Sequence, residues 1–126
     1  MSQTPGLGDL VAFLTARLDE DEEFAREANQ SPWVCEDNFV ENRDGGTIAR
    51  FEIKANARHA AWNDPARVLR EVAAKRAIVA EHGAASDPCD AFDASLRTIP
   101  CDTLLALAAV YSDYPDHRQE WASGDD

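Results

Sequence analysis

The segment from Asn63 to Gly83, "NDPARVLREVAAKRAIVAEHG", constrains the fold most, because it carries signals for both ends of one helix. Asp64 is a favoured N-cap residue, and Pro65 suits the first helical position, where its missing N–H is harmless. Gly83 is placed to end the helix in the left-handed conformation. The sequence therefore predicts an amphipathic helix of about five turns. Its apolar side consists of Val68, Leu69, Val72 and Val79.

A long acidic helix and a β-hairpin are predicted before this segment. Asp9 is a candidate N-cap for a helix that runs to about Ala28, and "SPW" ends this helix because Pro32 cannot continue it. The segments "WVCEDNFVE" and "TIARFEIK" are rich in β-branched and aromatic residues, and the "DGG" of residues 44–46 supplies the positive φ angles of a tight reversal. They predict a two-stranded hairpin, which a linker, "ANARHAAW", follows.

A second, apolar helix is predicted near the C-terminus. Asp102 can cap a helix over "TLLALAAVY", which is apolar nearly all round and is expected to be the most buried element. A last helical turn should begin at Pro115, with Trp121 folding back. We therefore predict an α+β fold with a single domain over residues 9–121. Residues 1–8 form a flexible lead and residues 122–126 a disordered acidic tail on this interpretation.

The net charge of −12 argues against two classes of partner. A strongly negative chain repels phosphate backbones and anionic membranes, so we expect neither nucleic-acid nor membrane binding. A dense acidic run is typical of a solvated face, and the alternatives are a protein-binding surface or a mimic of nucleic-acid charge. The run consists of Asp19, Glu20, Asp21, Glu22 and Glu23.

The basic residues cluster in the middle of the chain, where residues 47–83 hold seven of the 12 basic residues and only four acidic ones. The four on the Asn63–Gly83 helix do not form one stripe at about 100° per residue, whereas a groove-reading helix concentrates its cations. Glu71 and Lys75 have the favourable i,i+4 order. We therefore interpret this helix as a scaffold whose charges complement the acidic first helix. The four basic residues are Arg67, Arg70, Lys75 and Arg76.

Three cysteines, Cys35, Cys89 and Cys101, without a C-x-x-C pair, indicate a reducing compartment. The N-terminus lacks the basic region of a secretory signal. The longest apolar run, residues 104–111, is far short of the ~20 residues needed to span a bilayer. We therefore expect a cytoplasmic protein.

Three motifs resemble one known family. They are "GDLVAFLTARLDEDE", "RHAAWNDPARVLREVAAKRAIVAEH" and "PCDTLLALAAVYSDYPDHRQEW". In this order they resemble a family of small uncharacterised proteins encoded by actinobacteria and their phages. The resemblance implies a cytoplasmic location in an actinobacterium or in one infected by a phage. It implies no activity, because that family is one of unknown function. Its members often have more cysteines in the central loop than the Cys89 present here, which weakens any metal site carried over from them.

Two interpretations involve the loop between Cys89 and Cys101. These cysteines, with His59 and His82, are the residue types that zinc prefers in a tetrahedral site, although their spacing matches no zinc signature. A nucleophilic triad could join Cys89 to His82 and Asp87. No nucleophile elbow, Gly-rich phosphate loop or H-E-x-x-H motif marks such a centre.

The leading interpretation is a non-enzymatic binding or regulatory protein. It would engage a protein partner through the acidic run of residues 19–23, and it needs no cofactor. A small zinc-binding module is the second interpretation, and an enzyme centred on the same loop is the third.

Overall fold

The structure, a computed structural model, describes residues 7–83 and 102–122. It confirms the predicted α+β class. The helices are α1 (Leu7–Glu27), α2 (Lys54–Trp62), α3 (Pro65–His82) and α4 (Asp102–Ala109), with a short 3₁₀ helix at Gln119–Trp121. The strands are β1 (Trp33–Glu36), β2 (Phe39–Asn42) and β3 (Thr47–Arg50). No helix in these two described ranges is long and apolar enough to cross a membrane.

The chain divides into two compact units. The central unit is Glu20–Ala73, and the terminal unit combines Met1–Asp19 with Ala74–Asp126. Helices α1 and α3 contribute residues to both units. The single domain over residues 9–121 stays a prediction. The flexible lead and the acidic tail also stay predictions, because residues 1–6 and 123–126 lie outside the described residues.

The central unit contains a three-stranded antiparallel sheet in the order β1-β2-β3. The predicted hairpin with its reversal at residues 44–46 is confirmed as part of this sheet, which has one strand more than predicted. The first predicted strand is folded into β1 and β2, with Glu36 opposite Phe39 and a tight turn at Asp37 and Asn38. Asp37 has a φ of 58°, which aspartate tolerates better than most residues and which two-residue hairpin turns require.

Side chains of asparagine fix both turns of this sheet. The Asn42 Oδ1 atom accepts hydrogen bonds of 2.9 Å from the N–H groups of Asp44 and Gly46, while Gly45 takes a φ of 91°. The Asn38 amide donates to the carbonyl of Phe51 at 2.7 Å. Strand β3 ends at Arg50, four residues before the end of the predicted strand.

Helix α2 replaces the predicted linker "ANARHAAW", which is a correction. No side chain caps its first turn, and Ile53 at the N-cap is extended. The helix instead packs against β1 and β2 and buries Ala57 completely. Tertiary packing of a short alanine-containing segment is thus the physical reason for this helix, because helices of this length are marginal on their own.

Helix α3 begins as predicted. The Asp64 carboxylate accepts a hydrogen bond of 3.0 Å from the Arg67 N–H, the N3 position of an N-capped helix, and Pro65 is the first helical residue. On its predicted apolar side, Val72 and Val79 are buried, whereas two residues, Val68 and Leu69, are only half-buried.

The left-handed conformation predicted for Gly83 is wrong, because Gly45 is the glycine with a positive φ in the described ranges. Gly83 is needed for a different reason. A Cβ at this position would lie 2.6 Å from the Val79 carbonyl oxygen and 3.1 Å from Val11 Cγ2. The end of α3 therefore has no room for a side chain at this position.

The terminal unit has an apolar core in which α4 buries only one side. Leu104 and Ala108 are fully buried, but Val110, just after the helix, is 59% exposed. The predicted apolar composition therefore does not extend burial to every side of the helix, because composition does not say which sides have neighbours. Core residues from this unit are Leu10, Phe13, Leu14, Leu18, Val79, Leu104, Ala108, Tyr111 and Trp121.

Two predicted helix starts in the terminal unit also shift. Asp9 lies inside the first turn of α1 rather than at its N-cap. In the first turn its carboxylate still interacts favourably with the helix dipole, and it pairs with Arg118 at 3.1 Å. The last helical turn begins at Gln119 rather than at Pro115. Trp121 nevertheless folds back as predicted and is 4% exposed.

We predict that Asp64→Ala lowers the free energy of unfolding by about 1–2 kcal/mol, because the carboxylate caps α3 and also accepts a hydrogen bond from the Trp33 N–H at 3.2 Å. Urea unfolding measures the change. Glu81→Ala, an exposed position on the same helix, is the control and should change stability by less than about 0.5 kcal/mol. Equal effects of the two substitutions would contradict the capping role.

We predict that Gly83→Ala destabilises the protein by about 1–3 kcal/mol, because the new methyl group overlaps the Val79 carbonyl. Gly8→Ala is the matched control, since a Cβ at Gly8 meets nothing within 4 Å and the site is helical. Alanine there should be neutral or stabilising by up to about 1 kcal/mol. Thermal unfolding of the two variants gives the comparison, and a neutral Gly83→Ala would refute the steric argument.

Candidate functional site

The predicted acidic run lies on α1, where some of its carboxylates are used within the chain. Asp19, in the terminal unit, accepts a 2.7 Å hydrogen bond from Arg76, and Glu22, in the central unit, pairs with Arg26 at 2.7 Å. Glu23 is exposed and has no ion-pair partner among residues 7–83 and 102–122. The five carboxylates therefore do not act as one uniform surface.

An exposed phenylalanine adjoins this run. Phe24 is 60% exposed, and Glu23 and Glu27 beside it are exposed as well. At about 100° per residue these three lie on one half of α1, away from the stripe that contains buried Ala25. We call Glu23, Phe24 and Glu27 the Phe24 face. Sequence reasoning identified the carboxylates and missed the aromatic residue, although Phe24 directly follows the acidic run.

The zinc and triad interpretations rest mainly on residues outside the described ranges, namely Asp87, Cys89 and Cys101. His59 is exposed on α2 in the central unit, and His82 is half-buried in the last turn of α3 in the terminal unit. The described residues contain no group of three or more histidine, cysteine or acidic side chains placed to hold a metal ion. Both interpretations stay untested.

The basic residues of α3 have separate environments. Glu71 is predicted to pair with Lys75 in the following turn. It pairs instead with Arg67 in the preceding turn, at 3.2 Å. The ammonium group of Lys75 lies 5.8 Å from the centre of the Tyr111 ring. Arg70 is exposed and has no ion-pair partner in the described part of the chain. The predicted complementarity with the acidic helix is observed for Arg76, which pairs with Asp19.

A polar cleft of about 240 Å³ opens at the start of α3 in the central unit. Trp62, the last residue of α2, is 69% exposed at this cleft, and the Arg67 guanidinium carbon lies 5.7 Å from its ring centre. Sequence reasoning missed this site because it placed Trp62 in a linker. The sequence did contain a signal for this site: Trp62 stands just before the start of a helix, and Arg67 and Arg70 follow it, three residues apart. The lining residues are Trp33, Ala61, Trp62, Asp64, Arg67 and Arg70.

Aromatic side chains pack around Phe13 in the terminal unit. Its ring centre lies 5.1 Å from that of Trp121 and 5.7 Å from that of His117. The guanidinium of Arg17 stacks 4.4 Å from the Tyr114 ring centre and pairs with Asp116 at 3.3 Å. Because Phe13 and Trp121 are nearly fully buried, this cluster is part of the core rather than an open site.

Comparison with known proteins identifies the family. A family model described as "Family of unknown function (DUF6221)" matches residues 7–123, which is nearly the whole chain. The chain belongs to this family. The predicted membership in a family of unknown function is thus confirmed. No curated protein and no solved structure matches this DUF6221 protein.

We predict that the Asp19–Arg76 ion pair of this DUF6221 protein contributes only about 0–1 kcal/mol, because its side chains are 64% and 40% exposed. A double-mutant cycle with Asp19→Ala and Arg76→Ala measures the coupling, which should disappear at about 1 M salt. A cycle of Asp19→Ala with Arg118→Ala, whose guanidinium pairs with Asp9, is the control. A coupling above about 2 kcal/mol would contradict the surface assignment.

Proposed function

We propose that this DUF6221 protein is a non-enzymatic binding protein whose acidic surface on α1 engages a basic protein partner. The observation that carries the proposal is Phe24, which is 60% exposed between Glu23 and Glu27. An exposed aromatic residue with a polar rim is the usual composition of an interface anchor. Of the acidic run of residues 19–23, Glu23 is the member that belongs to this surface, because Asp19 and Glu22 are paired with arginines within the chain.

The apolar ring supplies a reason for binding that the carboxylates alone do not. Leaving a phenylalanine ring in water forgoes about 1.5–3 kcal/mol of burial free energy, so a partner pocket that covers Phe24 gains stability from it. Aromatic side chains of this kind dominate binding energy in protein interfaces, and the surrounding polar residues mainly exclude water. The partner should therefore offer an apolar pocket for one ring.

Charge defines the rest of the partner. Neither Glu23 nor Glu27 has a counter-ion in the described part of the chain, and the whole protein carries a net charge of −12. Such a field accelerates encounter with positively charged proteins and slows encounter with acidic ones. Lysine and arginine side chains should therefore surround the partner's apolar pocket.

We place this interaction in the cytoplasm of an actinobacterial cell, either as a host protein or as a phage protein. The cysteine content, without paired spacing, supports a reducing compartment. The resemblance of the sequence motifs supports the actinobacterial setting.

We predict that Phe24→Ala weakens partner binding while leaving the fold intact. Wild-type and variant protein would be used as baits in an actinobacterial lysate, and the protein retained by the wild type alone would be purified and its binding measured by calorimetry. Phe24→Ala should raise the dissociation constant about 10- to 30-fold, and Glu23→Gln with Glu27→Gln should reduce its salt dependence.

Ile53→Ala is the matched control, because Ile53 is also in the central unit and is 57% exposed. It should bind the purified partner like the wild type. The proposal is wrong if no basic protein distinguishes wild type from Phe24→Ala, or if Ile53→Ala weakens binding equally.

A further inference from the structure

The cleft at the start of α3 carries a second inference, separate in its residues from the Phe24 face. We infer that this cleft binds a small aromatic carboxylate, with the guanidinium groups of Arg67 and Arg70 recognising the anion and Trp62 covering the flat apolar body of the ligand. Three observations lead to this ligand class. They are the state of the charged groups, the exposed indole and the size of the cleft.

The arginine side chains give the cleft hydrogen-bond donors for an anion. Each oxygen of the Asp64 carboxylate accepts one backbone hydrogen bond, one from the Arg67 N–H at 3.0 Å and the other from the Trp33 N–H at 3.2 Å. Asp64 therefore caps the helix end itself, and its negative charge is directed towards backbone amides. Arg70 has no counter-ion in the described ranges, and Arg67 uses only its Nε atom on Glu71.

Guanidinium groups one helical turn apart suit a carboxylate. Arg67 and Arg70 are three residues apart on α3, so their side chains share one side of the helix. Arginine offers paired N–H donors that match the two oxygens of a carboxylate or phosphate. The net charge of −12 disfavours polyanions more than monoanions, which selects a carboxylate over a nucleotide or a nucleic acid.

The indoles supply the other half of the recognition. Trp62 is 69% exposed, the largest exposed fraction among the exposed large apolar residues of the described chain. Trp33 donates its indole N–H to the Asn29 carbonyl at 3.1 Å, so it offers the cleft its ring rather than a donor. Flat apolar groups stack favourably on such rings, particularly at offset geometries.

The size of the cleft limits the ligand. Its volume of about 240 Å³ lies below the ~300–1,000 Å³ of sites for drug-sized molecules. One substituted ring with a carboxylate fits within this volume. The ligand class is therefore a compact aromatic monocarboxylate.

The test uses benzoate as the probe and the three tryptophan indole N–H signals of the ¹⁵N-labelled full chain as the readout. Single Trp→Phe substitutions assign the signals. Benzoate should shift the signals of Trp33 and Trp62 saturably, with a dissociation constant of about 0.1–10 mM, as for a small fragment. The Trp121 signal, from the core of the terminal unit, should stay in place.

Variants separate the site from the general field of the protein. Arg70→Ala should raise the benzoate dissociation constant about fivefold or more, whereas Arg58→Ala should change it less than about twofold. Arg58 is also exposed and belongs to the same unit, so its substitution alters the net charge equally without altering the cleft lining. Circular dichroism establishes that both exposed substitutions leave the fold unchanged.

Four outcomes would overturn the inference. The first is the absence of a saturable shift of Trp33 and Trp62 up to about 50 mM benzoate, which is well above the fragment range. The second is equal weakening by Arg58→Ala and Arg70→Ala. The third is equally tight binding of benzamide, which has no charge. The fourth is tighter binding of inorganic phosphate, which would assign the cleft to phosphate instead.

Discussion

The hydrogen bonds of the Asp64 carboxylate are the constraint that links the two elements around the cleft of the central unit. The two carboxylate oxygens join the first turn of α3 to the first residue of β1, through the N–H groups of Arg67 and Trp33. Each bond satisfies a backbone donor that would otherwise be without a partner at the end of an element. One acidic side chain therefore fixes where the helix starts and where the sheet starts. It also brings Trp33 and Arg67 to the same cleft.

Aromatic and aliphatic side chains form the core of the terminal unit. Phe13 is the centre, with the Tyr111 and Trp121 rings at 6.4 and 5.1 Å in edge-on and tilted arrangements. These geometries are favourable for ring quadrupoles and add to the free energy of burial. Arg17 remains next to this core because its guanidinium stacks on Tyr114 and pairs with Asp116. Trp121 is thus a core residue of the terminal unit.

The distribution of charge explains why two surfaces stand out in a protein with a net charge of −12. Several cations are already paired or stacked within their own unit, including Arg67 with Glu71 and Arg76 with Asp19. Arg70 is exposed at the cleft and has no such partner among residues 7–83 and 102–122, and Phe24 is exposed beside carboxylates. The two surfaces have opposite chemistry, because one offers cationic donors next to an indole and the other offers anions next to a phenyl ring.

The sequence by itself determined the α+β class, the start of α3, the burial of Trp121 and the acidic character of α1, because caps, proline and charge runs act over a few residues. Only the tertiary structure decided the tight turn at Asp37, the helical state of residues 54–62 and the cleft at Trp62. A short helix without a capping side chain forms when a sheet covers one of its sides. The cleft likewise requires the hydrogen bond between Trp33 and Asp64, residues 31 apart in sequence, and no local periodicity encodes a contact of that kind.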